Sequence, residues 1–220
     1  MSTTKVQINQ DVVTAQTNIE VSAETSFQSI KFPKKTHSKQ WMTAEEFFKI
    51  APKFGRCELV KGEIVSMPPT GGEHGAIAAK ILARLLIYVE NQDLGEVFAA
   101  ETGFIIKHAT EEQERDTVRG IDVSFVRKER ITEVPKKYIP FPPDLAVEVV
   151  SPNDSESEIQ TKVQEYQHAG VPLIWVVRPE AQTVTVHRLN SKVEVLGTDD
   201  MLSGEDVIPD FTCPVADIFA

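Results

Sequence analysis

Two acids and a lysine carry the chemistry that this sequence could perform. Glu148 stands alone in the run Leu145-Ala146-Val147-Glu148-Val149-Val150, which lacks polar alternation and reads as a central strand covered on both faces. An unpaired carboxylate there costs several kcal/mol, so a metal, a cation or a raised pKa must compensate. A structural ion pair is the plainer alternative. Asp122 lies 26 residues earlier on a second apolar run, Ile121 to Val126. Strand alternation there places Asp122 and Ser124 on one face and Ile121, Val123 and Phe125 on the other.

Lys162 belongs to a helix expected over Ser155 to Ala169, stopped by Gly170. At 100° per residue with Ile159 at zero, Ala169 falls near about −80°, Lys162 about −60°, Tyr166 about −20° and Val163 about +40°. The lysine is therefore inside the apolar stripe, where it needs an anionic partner unless it snorkels past Tyr166 to solvent. From Ser155 to Lys162 the helix climbs roughly 10 Å, and Glu148 is about 10 Å from the strand end near Ser151. Glu148 and Lys162 should come level. Two strand carboxylates can bind a hard divalent cation that activates water against a phosphodiester, and a lysine beside them can orient that water or stabilise charge in the transition state.

The elements that must position these groups can be read around them. Residues 1–40 are rich in Ser, Thr, Gln and Lys without either hydrophobic period, which predicts a poorly ordered N-terminal tail and a single domain over 41–220. Thr43-Ala44-Glu45-Glu46 has the capping-box pattern and opens a short helix that ends by Pro52. Cys57 to Val60 and Glu63 to Met67 read as a hairpin joined at Lys61-Gly62, with Glu58 on its first strand. A first long helix is expected from Gly75 to Glu90 and strands over Glu96 to Ala100 and Gly103 to Lys107, followed by a mobile charged loop over 108–119. Strands are also expected at Leu173 to Val177, Thr183 to Leu189 and Lys192 to Leu196.

Composition narrows the functional classes. The chain has 220 residues, enough for one well-buried domain. No apolar stretch is long enough to cross a bilayer, no secretory leader is evident, and the cytoplasm is the expected compartment. Cys57 and Cys213 lack metal-ligand or disulfide-framework spacing. Of 23 basic and 33 acidic residues, five and three lie in residues 1–40, which leaves −12 for 41–220. A polynucleotide substrate would then require a local basic patch, a bound divalent metal, or both. One basic stretch is the connection bearing Arg127, Lys128, Arg130, Lys136 and Lys137 against Glu129 and Glu133, which reads as a solvated loop or a phosphate-tracking one.

The ordered set Glu58-Leu59-Val60-Lys61-Gly62-Glu63-Ile64-Val65, His74, Arg119-Gly120-Ile121-Asp122-Val123, Pro143 to Pro152, Lys162 with Tyr166, Gly170-Val171, Trp175 and Leu202 to Asp206 resembles the Uma-two family within the PD-(D/E)XK nuclease superfamily. The resemblance covers about 41–220. It implies an α/β fold of the mixed α+β kind, a restriction-endonuclease-like central mixed sheet flanked by helices. It further implies Mg2+ or Mn2+ on Asp122, Glu148 and the carbonyl of Val149, with Lys162 on water or phosphate. Glu58 matches an acidic position that can hold a second metal or a bridging water, or else is a solvated hairpin residue. His74 matches a histidine that can bind phosphate, or else is a cap or surface residue. Ile121 and Val150 stand where the superfamily motif has proline and lysine, and Lys162 matches a lysine moved to the following helix.

The resulting expectation is a divalent-metal-dependent endonuclease acting on DNA, with a homodimer implied by resemblance alone. A non-catalytic binding or scaffold protein that keeps the nuclease fold is the alternative, favoured by the acidic balance. A hydrolase of small phosphodiesters is a third reading.

Overall fold

In the computed structural model, residues 41–109, 115–189 and 193–220 are described. The expected tail over 1–40 and the middle of the expected loop over 108–119 lie outside the described residues. Thr43 caps helix α1 (Ala44–Ile50), with Glu46 completing the capping box, and a short 3₁₀ turn holding Pro52 follows. Strands β1 (Cys57–Val60) and β2 (Glu63–Ser66) form the expected hairpin. Its turn residues Lys61 and Gly62 have φ of 50° and 75°, a two-residue geometry that matches strand twist.

Helix α2 (Gly72–Gln92) begins three residues before its sequence signal, so His74 belongs to its first turn rather than to a loop. The two strands expected after it are one, β3 (Gly95–Lys107), and β4 spans Thr117–Arg127. Then come β5 (Leu145–Val149), α3 (Glu156–His168), β6 (Leu173–Arg178), β7 (Thr183–Arg188) and β8 (Glu194–Leu196). The chain closes with the small pair β9 (Met201–Ser203) and β10 (Thr212–Pro214) and helix α4 (Ala216–Phe219). No described helix is long and apolar enough to cross a membrane.

Among the described residues, eight strands form one sheet in the order β2-β1-β4-β5-β6-β7-β8, with β3 also on β4. It is mixed: β5 and β6 run parallel while the other neighbours are antiparallel. A parallel pair needs a crossover, which α3 supplies. Alternate residues of β5 serve opposite faces. Leu145, Val147 and Val149 pack with Ile77, Ile81, Leu85 and Val89 of α2, whereas Ala146 packs with Ile159, Val163 and Tyr166 of α3. Ala44 and Phe47 cover Leu59 and Val118 in a third cluster.

The alternation expected in β4 is corrected by the structure. Ile121 packs in the α3-side cluster while Val123 and Phe125 pack in the α2-side cluster. Ile121 and Val123 therefore do not share a face. The departure coincides with an irregularity in β3: pairing jumps from Ala99↔Val123 to Thr102↔Ile121, and Glu101 takes a φ of 69°. A bulge bends and twists the paired strands locally, and Asp122 lies opposite this one.

Candidate active site

Strand β4 changes partner along one edge. Near its start Val118 pairs with Leu59 of β1, and further on Val123 to Phe125 pair with β5. Between these stretches the ladder forks, and carboxylates take the backbone donors that a neighbouring strand would otherwise bind. Glu58 Oε1 accepts the N–H of Gly120 at 3.0 Å. Asp122 Oδ2 accepts the N–H of Val149 at 2.9 Å. Buried N–H groups must be satisfied, so both acids are fixed by the fork itself.

Asp122 is 5 % exposed, and its Oδ2 also meets Nε2 of His74 at 3.0 Å. The histidine is buried against the carboxylate, and its Nδ1 is buried without a partner among the described residues. Glu148 is 3 % exposed. Lys162 Nζ donates to its Oε2 at 2.7 Å and the Tyr166 hydroxyl to its Oε1 at 2.5 Å. The helical-face reasoning that made Glu148 and Lys162 neighbours agrees with this contact.

A second layer adjoins the first. Arg119 donates through Nη1 to Oε2 of Glu58 at 2.7 Å, and through Nε and Nη2 to Oε2 of Glu165 at 2.9 and 2.6 Å. Glu58 is thus neither solvated nor isolated, since both its oxygens are engaged within β4. Glu165 Oε1 is buried without a partner among the described residues. Arg119 and Glu165 were absent from the sequence-based site. Arg119 fell in an expected loop, and Glu165 is one turn beyond Lys162 on α3; only that helical spacing could have pointed to it.

The electrostatics follow from charge crowding. Four carboxylates, Glu58, Asp122, Glu148 and Glu165, face two permanent cations, Arg119 and Lys162. Burial pushes the Glu148 carboxyl above its usual range; Lys162 opposes that shift and the charge of Asp122 adds to it. Burial works against the Lys162 and Arg119 charges, but the surrounding carboxylates outweigh it and raise both. Tyr166 is raised by burial and by Glu148, so its hydroxyl stays a donor.

Among the described residues no three His, Cys, Asp or Glu side chains converge closely enough to hold a metal ion. Asp122 reaches β5 through the N–H of Val149, the residue that follows Glu148. Because Val149 turns its N–H to Asp122, its carbonyl lies along the same strand edge, as backbone pairing requires of one residue.

A mixed sheet with a helix on each face, bearing a buried carboxylate pair and a helix lysine at a strand fork, defines a restriction-endonuclease-like fold. The profile of the Uma2 family, described as "Putative restriction endonuclease", matches residues 44–216, and the chain belongs to that family. Its fold is also that of a crystal structure of "a putative nuclease belonging to DUF820" from Anabaena variabilis. The two superpose with a TM-score of 0.66 at 22 % identity, over 81 % of this chain and 97 % of that one. No curated protein sequence matches it.

Proposed function

We propose that this chain is a divalent-metal-dependent endonuclease that hydrolyses phosphodiester bonds in DNA, with Asp122, Glu148 and the Val149 carbonyl holding Mg2+ or Mn2+. The observation that carries this reading is the surplus negative charge at the fork among the described residues: four buried or half-buried carboxylates bonded around two permanent cations. A divalent ion balances it. The donor chemistry fits. All three groups are hard oxygens, Asp122 Oδ1 has no hydrogen-bond partner among the described residues, and each Glu148 oxygen keeps a lone pair beyond the bond it accepts. So small a protein ligand set suits Mg2+, which retains several waters.

When bound, such a cation supplies Lewis acidity toward a phosphoryl oxygen and a more acidic water. The side chains do the positioning. Val149 N–H and His74 hold Asp122 through one oxygen, Oδ2. Tyr166 and Lys162 grip opposite oxygens of Glu148 and fix its carboxylate plane. Lys162 keeps two further N–H donors for the attacking water or a non-bridging phosphate oxygen, where charge grows in the transition state. Glu58 acts here by fixing Arg119 and Gly120, and His74 by orienting Asp122. We assign the protein to the cytoplasm, in keeping with two free thiols, Cys57 and Cys213, and expect it to cut as a homodimer.

Purified protein with Mg2+ or Mn2+ should cleave single-stranded, double-stranded or branched DNA, and Asp122→Ala and Glu148→Ala should each abolish cleavage. Cutting that survives both changes would sink the assignment. One observation favours a second reading, a scaffold in which Glu148 and Lys162 are a closed ion pair: both Glu148 oxygens are occupied. Calorimetric titration with Mn2+ separates the two, because binding abolished by Asp122→Ala belongs only to the hydrolase.

A further inference from the structure

A cavity of about 370 Å³ lies against the fork, with α1 forming one wall. Glu58 and Gly120, the acid and the residue whose N–H it accepts, belong to both. From its lining and this position we infer that the cavity receives one unstacked nucleobase of the substrate strand, beside the phosphate to be cut. The identity of the strand rests on the hydrolase reading.

The lining suits a flat, neutral group. Its charged members among the described residues are paired, Glu58 with Arg119 at 2.7 Å and Arg56 with Glu101 at 3.2 Å. A phosphate or an ammonium group would have to compete with those pairs, whereas an uncharged ring need not. Phe47, Phe48 and Tyr138 supply aromatic surface. The Tyr138 ring stacks on Phe47 with centroids 5.7 Å apart and meets Phe48 edge-on at 5.1 Å. Bases of any sequence stack on such side chains, and the volume falls within the small-ligand range.

The aromatic wall is held by the backbone. Ile139 N–H donates to the Gly103 carbonyl and Ile105 N–H to the Ile139 carbonyl, both at 2.9 Å, which ties the Tyr138 segment to β3. A glycine is required beneath the ring, because a Cβ on Gly103 would lie 2.3 Å from Tyr138 Cδ1. Burial and the neighbouring Cys57 push the Tyr138 phenol up to about 12, so its hydroxyl stays a donor for the polar edge of a base. Asp122 follows Gly120 by two residues, about 7 Å of strand. A phosphate held at Asp122 and Glu148 therefore brings the base of an adjoining nucleotide to the cavity.

The test is calorimetric titration of the full chain, in metal-free buffer, with two single-stranded trinucleotides that differ only in whether the central unit carries adenine or is abasic. The parent should bind the adenine-bearing strand at least about fivefold more tightly, the lower end of what one stacked base contributes. Phe48→Leu/Tyr138→Leu keeps apolar bulk and removes two flat rings. It should bring the ratio below about twofold while affinity for the abasic strand stays as in the parent. A loosened fold would instead weaken both strands alike, so a preserved ratio in this variant, or in Phe48→Leu alone if the double variant loses its thermal transition, overturns the proposal. Equal binding of the two strands by the parent, or binding of neither, overturns it without any variant. Asp122-dependent cleavage of DNA with no base preference would remove the cavity and leave the hydrolase reading standing. Ring-dependent base preference without any metal-dependent cleavage would support the cavity and remove the hydrolase.

Discussion

Lys162→Met tests the Glu148 pair most directly. Methionine keeps much of the lysine stem along α3 and removes the ammonium that lies 2.7 Å from Glu148 Oε2. The lysine side chain is 15 % exposed and that of Glu148 4 %, so solvent replaces little of the lost partner. Breaking a buried pair by removing one member costs about 3–5 kcal/mol. Protonation of Glu148 caps that loss, because each unit by which its folded pKa exceeds the unfolded value of about 4.3 is worth about 1.4 kcal/mol. A group whose folded pKa is raised contributes stability that is present below the unfolded pKa and lost as pH rises through the folded one. Burial and Asp122 already raise Glu148, and loss of Lys162 raises it further. Urea unfolding in metal-free buffer should therefore show parent and variant converging near pH 5 and separated by about 3 kcal/mol at pH 8. Adding Glu148→Gln to the variant removes the charge and should restore about 2 kcal/mol at pH 8, with little effect at pH 5. A loss below about 1 kcal/mol at pH 8, or a double variant no more stable than the single one, refutes the reasoning.

The second layer and the histidine make further claims. Arg119→Lys should lower stability by about 3 kcal/mol in chemical denaturation, because an ammonium lacks the planar fork that reaches Glu58 and Glu165 together; a loss within 0.5 kcal/mol, on the order of an ordinary surface change, contradicts it. His74→Gln should reduce kcat for DNA cleavage by about 10–100-fold with KM unchanged, since the ring touches Asp122 and not an open phosphate position. A rise in KM alone would instead return His74 to the phosphate-binding role.

Glu148, Lys162 and their contact were legible because every relevant signal is local. A lone acid in an apolar strand and a lone lysine in an apolar helical stripe need only strand and helix periods to be placed. The Lys61-Gly62 hairpin was legible for the same reason. Asp122 was found as a residue but assigned by a regular alternation that does not hold, and the departure falls where β4 faces the irregularity of β3 between Ala99 and Thr102. Nothing within β4 encodes it. Arg119 was hidden because Thr117 and Arg119 look like loop residues; they are buried as strand only because partners arrive from distant segments, as Glu58 and Glu165 do for Arg119. His74 was obscured by Gly71, Gly72 and Gly75, which hide a helix start that lacks a side-chain cap.

Stability considerations also weigh between the hydrolase and the scaffold. Buried ion pairs are weak contributors to stability, and well-packed apolar residues of similar volume often serve a core as well or better. A scaffold would need Glu148 only as the partner of Lys162, and replacing both would free Tyr166 to pack in the α3-side cluster it already joins. That accounts for neither Asp122 nor His74. Asp122 adds a negative charge that raises Glu148 and weakens the pair it adjoins, and His74, which holds it, is buried with one ring nitrogen unpartnered among the described residues. These are destabilising features in a scaffold. They become useful once a divalent cation shares the two carboxylates, because the same negative surplus that strains the apo fold then favours binding. Mn2+ should accordingly raise the parent's Tm, and Asp122→Asn should do the reverse of an ordinary core substitution: its metal-free Tm should equal or exceed the parent's, while the Mn2+ shift disappears. A lower metal-free Tm with an undiminished Mn2+ shift would place the ion elsewhere and remove the charge argument on which the hydrolase reading stands.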